Sequence, residues 1–548
     1  MRKKKVLFVS EASWKNTGYA VYTKEVLSRL NQIESLEVAE LACYGSASDP
    51  EIKNIPWKVF PNKPDINSPD FKLYKSTPTN TFGEWSFNQI CILFQPDIVI
   101  DIRDWWMFEY QQRSPFRDFF HWAIMPTVDA APQNPQWINT FQSADAVFAY
   151  SEFGRDTLRE QCDNLNFCEV ASPAASQAFT PFLNKKQHKK NMGFDPDSII
   201  VGTVMRNQRR KLYPDLFESF RQLLDETKNN NIFLYCHKYY PDIGWETPEL
   251  LDRFGLNNRV LFSYKCSTCK ELRVEFFQDS IGYCKKCQKL TQQLVGIDNP
   301  IDEHELNKIY NVFDIYVQYA NSEGFGMPQL EAAYAGLPVV STYYSAMESV
   351  IDNIGGTGIK PLSYSMEAET GCYRAIPDNR KFVDVLKTMT NKKDSLSRMG
   401  RRTEKLARNH YDWDKTANVW AKHIAAVPMR DPEETWLSPP NIKKPATTMP
   451  SDLVDLSDQV NFIFTDILHK PEWIGGYLWS KVLKDCMFKY RVQSSNADFY
   501  FNESHIQSYD QYQPFNIEVA CKEMVNFRNQ LNIWENARRE AVQGGKRI

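Results

Sequence analysis

No run of about 18 apolar residues occurs in the 548-residue chain, so nothing in it is expected to cross a bilayer as a helix. No secretory leader is expected either. Met1-Arg2-Lys3-Lys4-Lys5 carries the charge of a leader's start, but the apolar run behind it, Val6 to Val9, is too short and soon meets Glu11. Without a leader, the 12 cysteines are expected in a reducing compartment, as free thiols or metal ligands. The expected location is the cytoplasm, or the host cytoplasm if the protein is viral. Net charge is nearly absent too. Lys and Arg number 65 against 68 Asp and Glu, and the resulting -3 gives no whole-molecule attraction to polyanions, leaving only local basic patches. What is present is ordinary for a globular protein: 42% hydrophobic and 24% charged residues, on a length that allows two or three domains.

The most informative stretch is Asn321 to Ala335, N-S-E-G-F-G-M-P-Q-L-E-A-A-Y-A, followed by Gly336-Leu337-Pro338-Val339-Val340. An apolar segment of strand character, Phe313 to Val317, precedes it. Gly324 and Gly326 predict a tight loop. Pro328 suits the first turn of a helix, where its missing N–H is no loss. The helix should end near Gly336, a natural C-terminal cap. Strand, glycine loop and helix in this order form the place where an open α/β sheet binds ligands. Unpaired N–H groups at the helix start favour a phosphate. Two carboxylates frame the loop, Glu323 before the glycines and Glu331 about one turn into the helix; Glu331 could accept hydrogen bonds from sugar hydroxyls or simply face solvent.

This string closely resembles the E-x7-E signature of retaining glycosyltransferases of the GT-B fold, family 4 type. The resemblance implies that Glu323 lies beside a donor sugar and that Glu331 binds the ribose of a nucleotide. Phe325, Gly326 and Met327 would offer backbone amides to the sugar or diphosphate. The remainder of the chain follows a compatible order. Lys5 to Ser10 reads as a buried parallel strand, leading to Gly18 and a helix from about Val21 to Leu30; the glycine allows a ligand to approach the backbone. Strands are expected at Pro96–Asp101 and Ala123–Pro126, and Ser143–Gly154 reads as a strand ending in a small-residue turn before a helix at Arg155–Gln161. Alternating strands and helices argue for a doubly wound parallel sheet. Where many family members carry a His, this chain has Asp129, which could contact donor-sugar or acceptor hydroxyls, or simply form a turn.

Residues 172–196, with Pro173, Pro181, Pro196 and a lysine run at Lys185 to Lys190, read as an interdomain linker. A second α/β unit opens at Ile199. Arg206 ends its first strand and Lys211 begins the next segment, with Arg209 and Arg210 between them. In the family an Arg and a Lys at this point grip the diphosphate. Fixed cations there would stabilise the charge that gathers on the leaving group. A turn-rich stretch is expected at Gly355–Gly358, and helices end the unit, the last running to about Ala426 and, by the resemblance, crossing back to the first domain.

Cys266-x-x-Cys269 and Cys284-x-x-Cys287 stand 14 residues apart, a spacing that suits tetrahedral zinc. Disulfides are the alternative. Four thiolates would close the coordination sphere, so this metal is expected to be structural. Lys265, Lys270, Lys285, Lys286 and Lys289 make the ribbon basic, either as a nucleic-acid contact or as a solvated surface. Residues 427–450 contain six prolines and read as a linker. Residues 451–548 lie outside the resemblance; Val460–Phe464 could be a strand, and Ile474–Met487 and Ile517–Val542 helices.

The sequence therefore predicts an α/β protein of GT-B type, two Rossmann-like domains facing a cleft, with a zinc-ribbon insertion and a C-terminal extension. The expected parts are an acceptor domain at 1–185, a donor domain at 191–426, the ribbon at 264–290, the proline-rich linker at 427–450 and the extension at 451–548. The expected activity is retaining transfer of a sugar from a UDP- or GDP-type nucleotide sugar to an acceptor hydroxyl. Glu323, Arg206, Lys211 and Asp129 would carry the chemistry, and Gly18, Phe325, Gly326, Met327 and Glu331 would bind the donor. Lacking a D-x-D signature, the chain is not expected to need a catalytic divalent metal. The acceptor is left open between a glycan or lipid intermediate and hydroxymethylated pyrimidine in DNA, and the oligomeric state is not readable. A non-catalytic adaptor for nucleic acid or glycan is the alternative reading.

Overall fold

The computed structural model describes residues 2–436, Ile297 excepted. The expected elements at 460–464, 474–487 and 517–542, and most of the proline-rich stretch, lie outside the described residues.

The first half builds one parallel sheet from Lys4–Glu11 (β1), Leu36–Ser46 (β2), Lys58–Lys63 (β3), Ile98–Asp101 (β4), His121–Ile124 (β5), Ala146–Ala149 (β6) and Phe167–Val170 (β7), in the order β3-β2-β1-β4-β5-β6-β7. β1 is central and reads K-K-V-L-F-V-S-E, with its five middle residues buried, as a strand covered on both faces must be. The strand order reverses between β1 and β4. At such a point the loops diverge and leave a crevice.

The second half repeats the plan. Its parallel core is Ile199–Val204 (β8), Ile232–His237 (β9), Val260–Cys266 (β10), Ile315–Gln318 (β14), Val339–Thr342 (β15) and Thr357–Ile359 (β16), ordered β10-β9-β8-β14-β15-β16. The switch here falls between β8 and β14. Three antiparallel strands are added at the β10 edge: Leu272–Phe276 (β11), Gly282–Cys284 (β12) and Lys289–Leu294 (β13). A separate hairpin, Ser363–Met366 (β17) with Tyr373–Ile376 (β18), stands outside both sheets.

Helix Trp413–Ala426 returns to the first domain, as the resemblance implied. Trp420 packs its ring 4.2 Å from that of Phe148 and donates from Nε1 to Tyr22 Oη at 2.8 Å. The domains are also joined near the cleft. Tyr373 donates its backbone N–H to Ala131 O at 2.9 Å, Ala131 N–H donates to Tyr344 Oη at 3.2 Å, and Phe153 N–H donates to Ser349 Oγ at 3.0 Å.

Two expectations need correcting. The lysine run in the expected linker is a helix, Lys185–Asn191, because Lys189 is buried: it pairs with Asp314 and donates to Ser198 O at 2.8 Å. The stretch read as turns at Gly355–Gly358 ends in strand β16, which pairs in parallel with β15.

Candidate functional site

The loops of both switch points meet across the cleft. From the second domain comes the loop after β14. Glu323 is buried and takes three side-chain donors. Lys211 Nζ and Arg210 Nη1 grip it, and Gln318 Nε2 donates to its Oε1 at 2.8 Å. Its backbone N–H donates to Ser345 Oγ at 2.9 Å. Gly326 then turns the chain with φ of 85°, a left-handed conformation open to glycine, and sets the start of helix Met327–Tyr334. Phe325 is buried and meets Tyr411 edge-on at 5.5 Å.

Glu331 lies on that helix, and Tyr310 Oη donates to its Oε2 at 2.7 Å. Tyr310 ends helix Glu303–Tyr310, fixed at its start by a reciprocal cap between Asp302 and Glu305. Burial pushes the Glu331 carboxyl up to about 7 against the opposing effect of the Tyr310 hydrogen bond. Glu323 and Glu331 thus have separate partners within one loop–helix unit.

Arg206 stands apart from the Glu323 group. Its guanidinium is half-exposed and forms a two-pronged pair with Asp242 at 2.9 and 3.0 Å. Lys211 and Arg210 are both buried enough for their pKa values to fall, Lys211 strongly, with the Arg210 charge as a further cause.

The first domain supplies the opposite wall. Gly18 follows β1 with open space on its Cα, and Tyr19 Oη bonds Thr127 Oγ1 at 2.8 Å. Burial raises the carboxyl of Asp104, after β4, to about 6, against the opposing effect of the nearby Tyr19 and Thr127 hydroxyls. Asp129, after β5, accepts from Arg374 Nη1 at 2.9 Å; the same nitrogen donates to Ser322 Oγ at 2.7 Å. Arg374 comes from β18, so the outlying hairpin ties the Asp129 loop to the Glu323 loop. Arg210 feels the charges of Asp129 and Asp104 across the cleft.

Sequence reasoning did not single out Arg210, Tyr310, Asp104, Tyr19 or Arg374. Only Arg210 carried a signal, as an unexplained cation beside Lys211.

At the β10 edge the thiols of Cys266, Cys269, Cys284 and Cys287 all lie within 4.8 Å of one another. The Cys266–Cys287 and Cys269–Cys284 sulfur pairs are 3.6 Å apart. Both C-x-x-C turns have one geometry. Lys270 and Gln288, each just after the second Cys, adopt positive φ (60° and 56°), and their N–H groups donate to Cys266 O at 3.0 Å and Cys284 O at 2.8 Å. The Cys269 N–H donates to Cys266 Sγ at 3.3 Å.

Residues 288–370 match the family model for glycosyl transferases group 1. No curated protein matches the chain. Among solved structures, sucrose-phosphate synthase from Thermosynechococcus elongatus is similar over 77% of this chain and 100% of its own, at 14% identity and a TM-score of 0.57. Anabaena HepE in complex with UDP and glucose shares 13% identity over 77% of this chain and 100% of its own, TM-score 0.53. A glycosyltransferase from Rickettsia africae shares 14% over 78% and 99%, TM-score 0.52. Likeness at such identities establishes the fold alone, which is GT-B-like, two α/β domains with parallel sheets.

Proposed function

We propose that this chain is a glycosyltransferase that moves a sugar, with retention at the anomeric carbon, from a nucleotide-diphosphate sugar to an acceptor hydroxyl. The observation that carries this reading is the grip of Lys211 and Arg210 on Glu323 at the second sheet's switch point, beside a helix N-terminus and facing the first domain's carboxylates. The match of 288–370 to a glycosyltransferase family model supports it, and an Anabaena structural neighbour holding UDP and glucose makes UDP the first nucleotide to try.

In this reading the diphosphate lies toward the amides after Gly326 and the cations Lys211, Arg210 and Arg206. Arg206 offers a planar fork, and Asp242 is the partner a diphosphate would displace. Glu331, already oriented by Tyr310, takes the ribose hydroxyls. Glu323 and the Arg210 and Lys211 charges lie next to the sugar. As the C1–O bond to the diphosphate breaks, negative charge gathers on the leaving oxygen and the cations stabilise it. The acceptor oxygen bonds to C1 from the same face, and its proton passes to the departing phosphate oxygen. Asp129, tied to Arg374, borders the sugar and acceptor.

The four cysteines fit a structural zinc ion. A tetrahedron with Zn–S bonds of about 2.3 Å has edges of about 3.8 Å, close to the observed pairs. The ion would clip the ribbon to β10 and leave no open position for chemistry.

The test is calorimetric titration with UDP, GDP, UDP-glucose and GDP-mannose, followed by transfer assays. Binding of one nucleotide sugar, and its loss in Glu331→Ala, is expected. No binding of any of them would overturn the reading.

A further inference from the structure

The β17–β18 hairpin has one edge in use and one free. On β18, the N–H groups of Tyr373 and Ala375 donate to Ala131 O at 2.9 Å and Asn321 O at 3.1 Å, which fastens that strand to a loop of each domain. Those two N–H groups point away from β17. Residues directly opposite each other in an antiparallel pair turn their backbone groups the same way, toward each other or apart. Met366 lies opposite Tyr373 and Tyr364 opposite Ala375, so Met366 and Tyr364 turn theirs away from β18. Among the described residues no backbone group meets them, and β17 pairs with β18 alone. An unpaired edge is a template for another strand, which proteins commonly blunt with charge or proline. Leu362-Ser363-Tyr364-Ser365-Met366 carries neither.

The side chains of this edge are apolar and in water. Leu362, Tyr364 and Met366, every second residue, are 72%, 51% and 60% exposed, and Tyr373, opposite Met366, is 42% exposed. Residues two apart on a strand share a face, as do residues directly opposite. Together the four expose roughly 500 Å² per copy, so a two-fold contact would cover about 1,000 Å², where specific interfaces begin. An antiparallel strand pair is itself two-fold symmetric, as is a pair of identical subunits. Centred on Tyr364, β17 would set Tyr364 against Tyr364 of the partner subunit, Leu362 against Met366 of the partner subunit, and Ser363 against Ser365 of the partner subunit. Apolar side chains meet apolar ones, hydroxyls meet hydroxyls, and the outward backbone groups of Tyr364 fall at a hydrogen-bonded position.

We infer that β17 joins two copies of this chain edge to edge, forming a four-stranded antiparallel sheet in the order β18-β17-β17-β18 about a two-fold axis through Tyr364. The inference does not depend on the transferase reading. Each β18 keeps its bonds to Ala131 and Asn321, and its Arg374 keeps Asp129 and Ser322, so the pairing leaves the cleft side of the hairpin as it stands.

The test is sedimentation of the full chain over a range of concentrations, with amide exchange at β17. Wild type should be dimeric at about 50 µM and dissociate on dilution, as suits a contact at the small end of the range. The Tyr364 N–H should exchange slowly in the dimer and quickly in the dilute monomer. Leu362→Asp and Met366→Lys should each raise the dissociation constant by about tenfold or more, because each sets a charge against an apolar side chain. The double variant should recover most of that loss, since this register brings the two opposite charges face to face across the axis. All these positions are exposed, so the melting temperature of the dilute proteins should not change. A chain that is monomeric throughout overturns the inference, whether its β17 amides exchange freely or are already shielded by residues 437–548 of the same chain. So does a dimer that either single variant leaves intact, or a double variant no better than the singles.

Discussion

Gly324 and Thr127 touch across the cleft: a methyl group built on the glycine would overlap Cγ2 of the threonine. The loop carrying Glu323 is thus packed directly on the loop carrying Asp129, and the absence of a side chain at 324 sets how closely the domains approach. Gly324→Ala should wedge them apart and cost about 1–3 kcal/mol, the usual penalty of overpacking. Thr127→Ser removes the offending methyl and keeps the hydroxyl that Tyr19 uses. Chemical denaturation of the single and double variants checks this. A Gly324→Ala protein as stable as wild type, or a double variant no better than the single, would count against it.

Glu331 supplies a pH signature. Its folded carboxyl is raised to about 7 by burial, above the ordinary value near 4.5. A raised carboxyl favours folding while protonated, so stability is greatest at low pH and is lost as pH climbs through about 7. Glu331→Gln keeps an acceptor for the Tyr310 hydroxyl and carries no charge. It should exceed wild type by about 1–3 kcal/mol at pH 8 and converge on it toward pH 5. UDP affinity in wild type should rise through the same window, since ribose hydroxyls donate best to the ionised carboxylate. Parallel stability curves for the two proteins would refute the assignment.

How much of this was legible in the sequence depends on how local each signal is. The loop from Glu323 to Gly336 could be read because its strand, glycines, proline and helix are contiguous. The tetracysteine cluster was equally plain, since spacing alone brings the thiols together. Asp104, Tyr19 and Arg374 were not legible, because topology assembles them from elements far apart in the chain. Strand β2 was missed for a related reason. Its buried Glu40 interrupts the apolar run and is tolerated only because Trp57 Nε1 donates to it at 2.8 Å and Ser13 N–H at 3.3 Å. The β17–β18 hairpin gave no alternation of buried and exposed positions, since every residue of β17 is exposed.

The tetracysteine ribbon yields a metal prediction. Elemental analysis of protein purified without added chelator should find about one zinc per chain. Cys284→Ser should abolish it and expose the three remaining thiols of the cluster to a colorimetric reagent. Lys265 adjoins Cys266 and pairs with Glu305 at 2.7 Å, so loss of the ion should also lower the melting temperature rather than merely free the ribbon. A metal-free protein with an unchanged melting temperature would remove the structural role.

His121 and His423 bring their Nε2 atoms to 3.0 Å between the first sheet and the returning helix. One ring must donate and the other accept, so at most one of the two can carry charge in this arrangement. Burial lowers both pKa values, that of His423 to about 4, with the charges of His121 and Lys4 adding to the effect; Arg117, Arg430 and Lys4 also lower His121, and Asp145 opposes them. A lowered His value means stability is complete above the unfolded value of about 6.5 and falls as pH drops toward 4. Wild type should lose about 1–2 kcal/mol more than His423→Gln between pH 7 and pH 5. Thermal melts across that range decide it, and an equal loss in both proteins would show that the pair does not hold the helix.

Arg206 and Arg210 leave the same strand end but have different partners, and this separates their expected effects. Arg210 sits on Glu323 and under the influence of Asp104 and Asp129. Its loss should uncover a buried carboxylate and lower turnover by about a hundredfold or more, the scale seen when one transition-state donor is removed. Arg206 is half-exposed and already paired with Asp242. A diphosphate must compete for it, so Asp242→Asn should tighten UDP binding, Arg206→Ala should weaken it by about tenfold, and uridine, which has no phosphate, should bind both variants alike. Calorimetry with UDP and uridine distinguishes these cases. If Asp242→Asn weakens UDP instead, the Arg206–Asp242 pair is a structural brace of the β8–β9 edge, and the diphosphate is held by Arg210 and Lys211 without it.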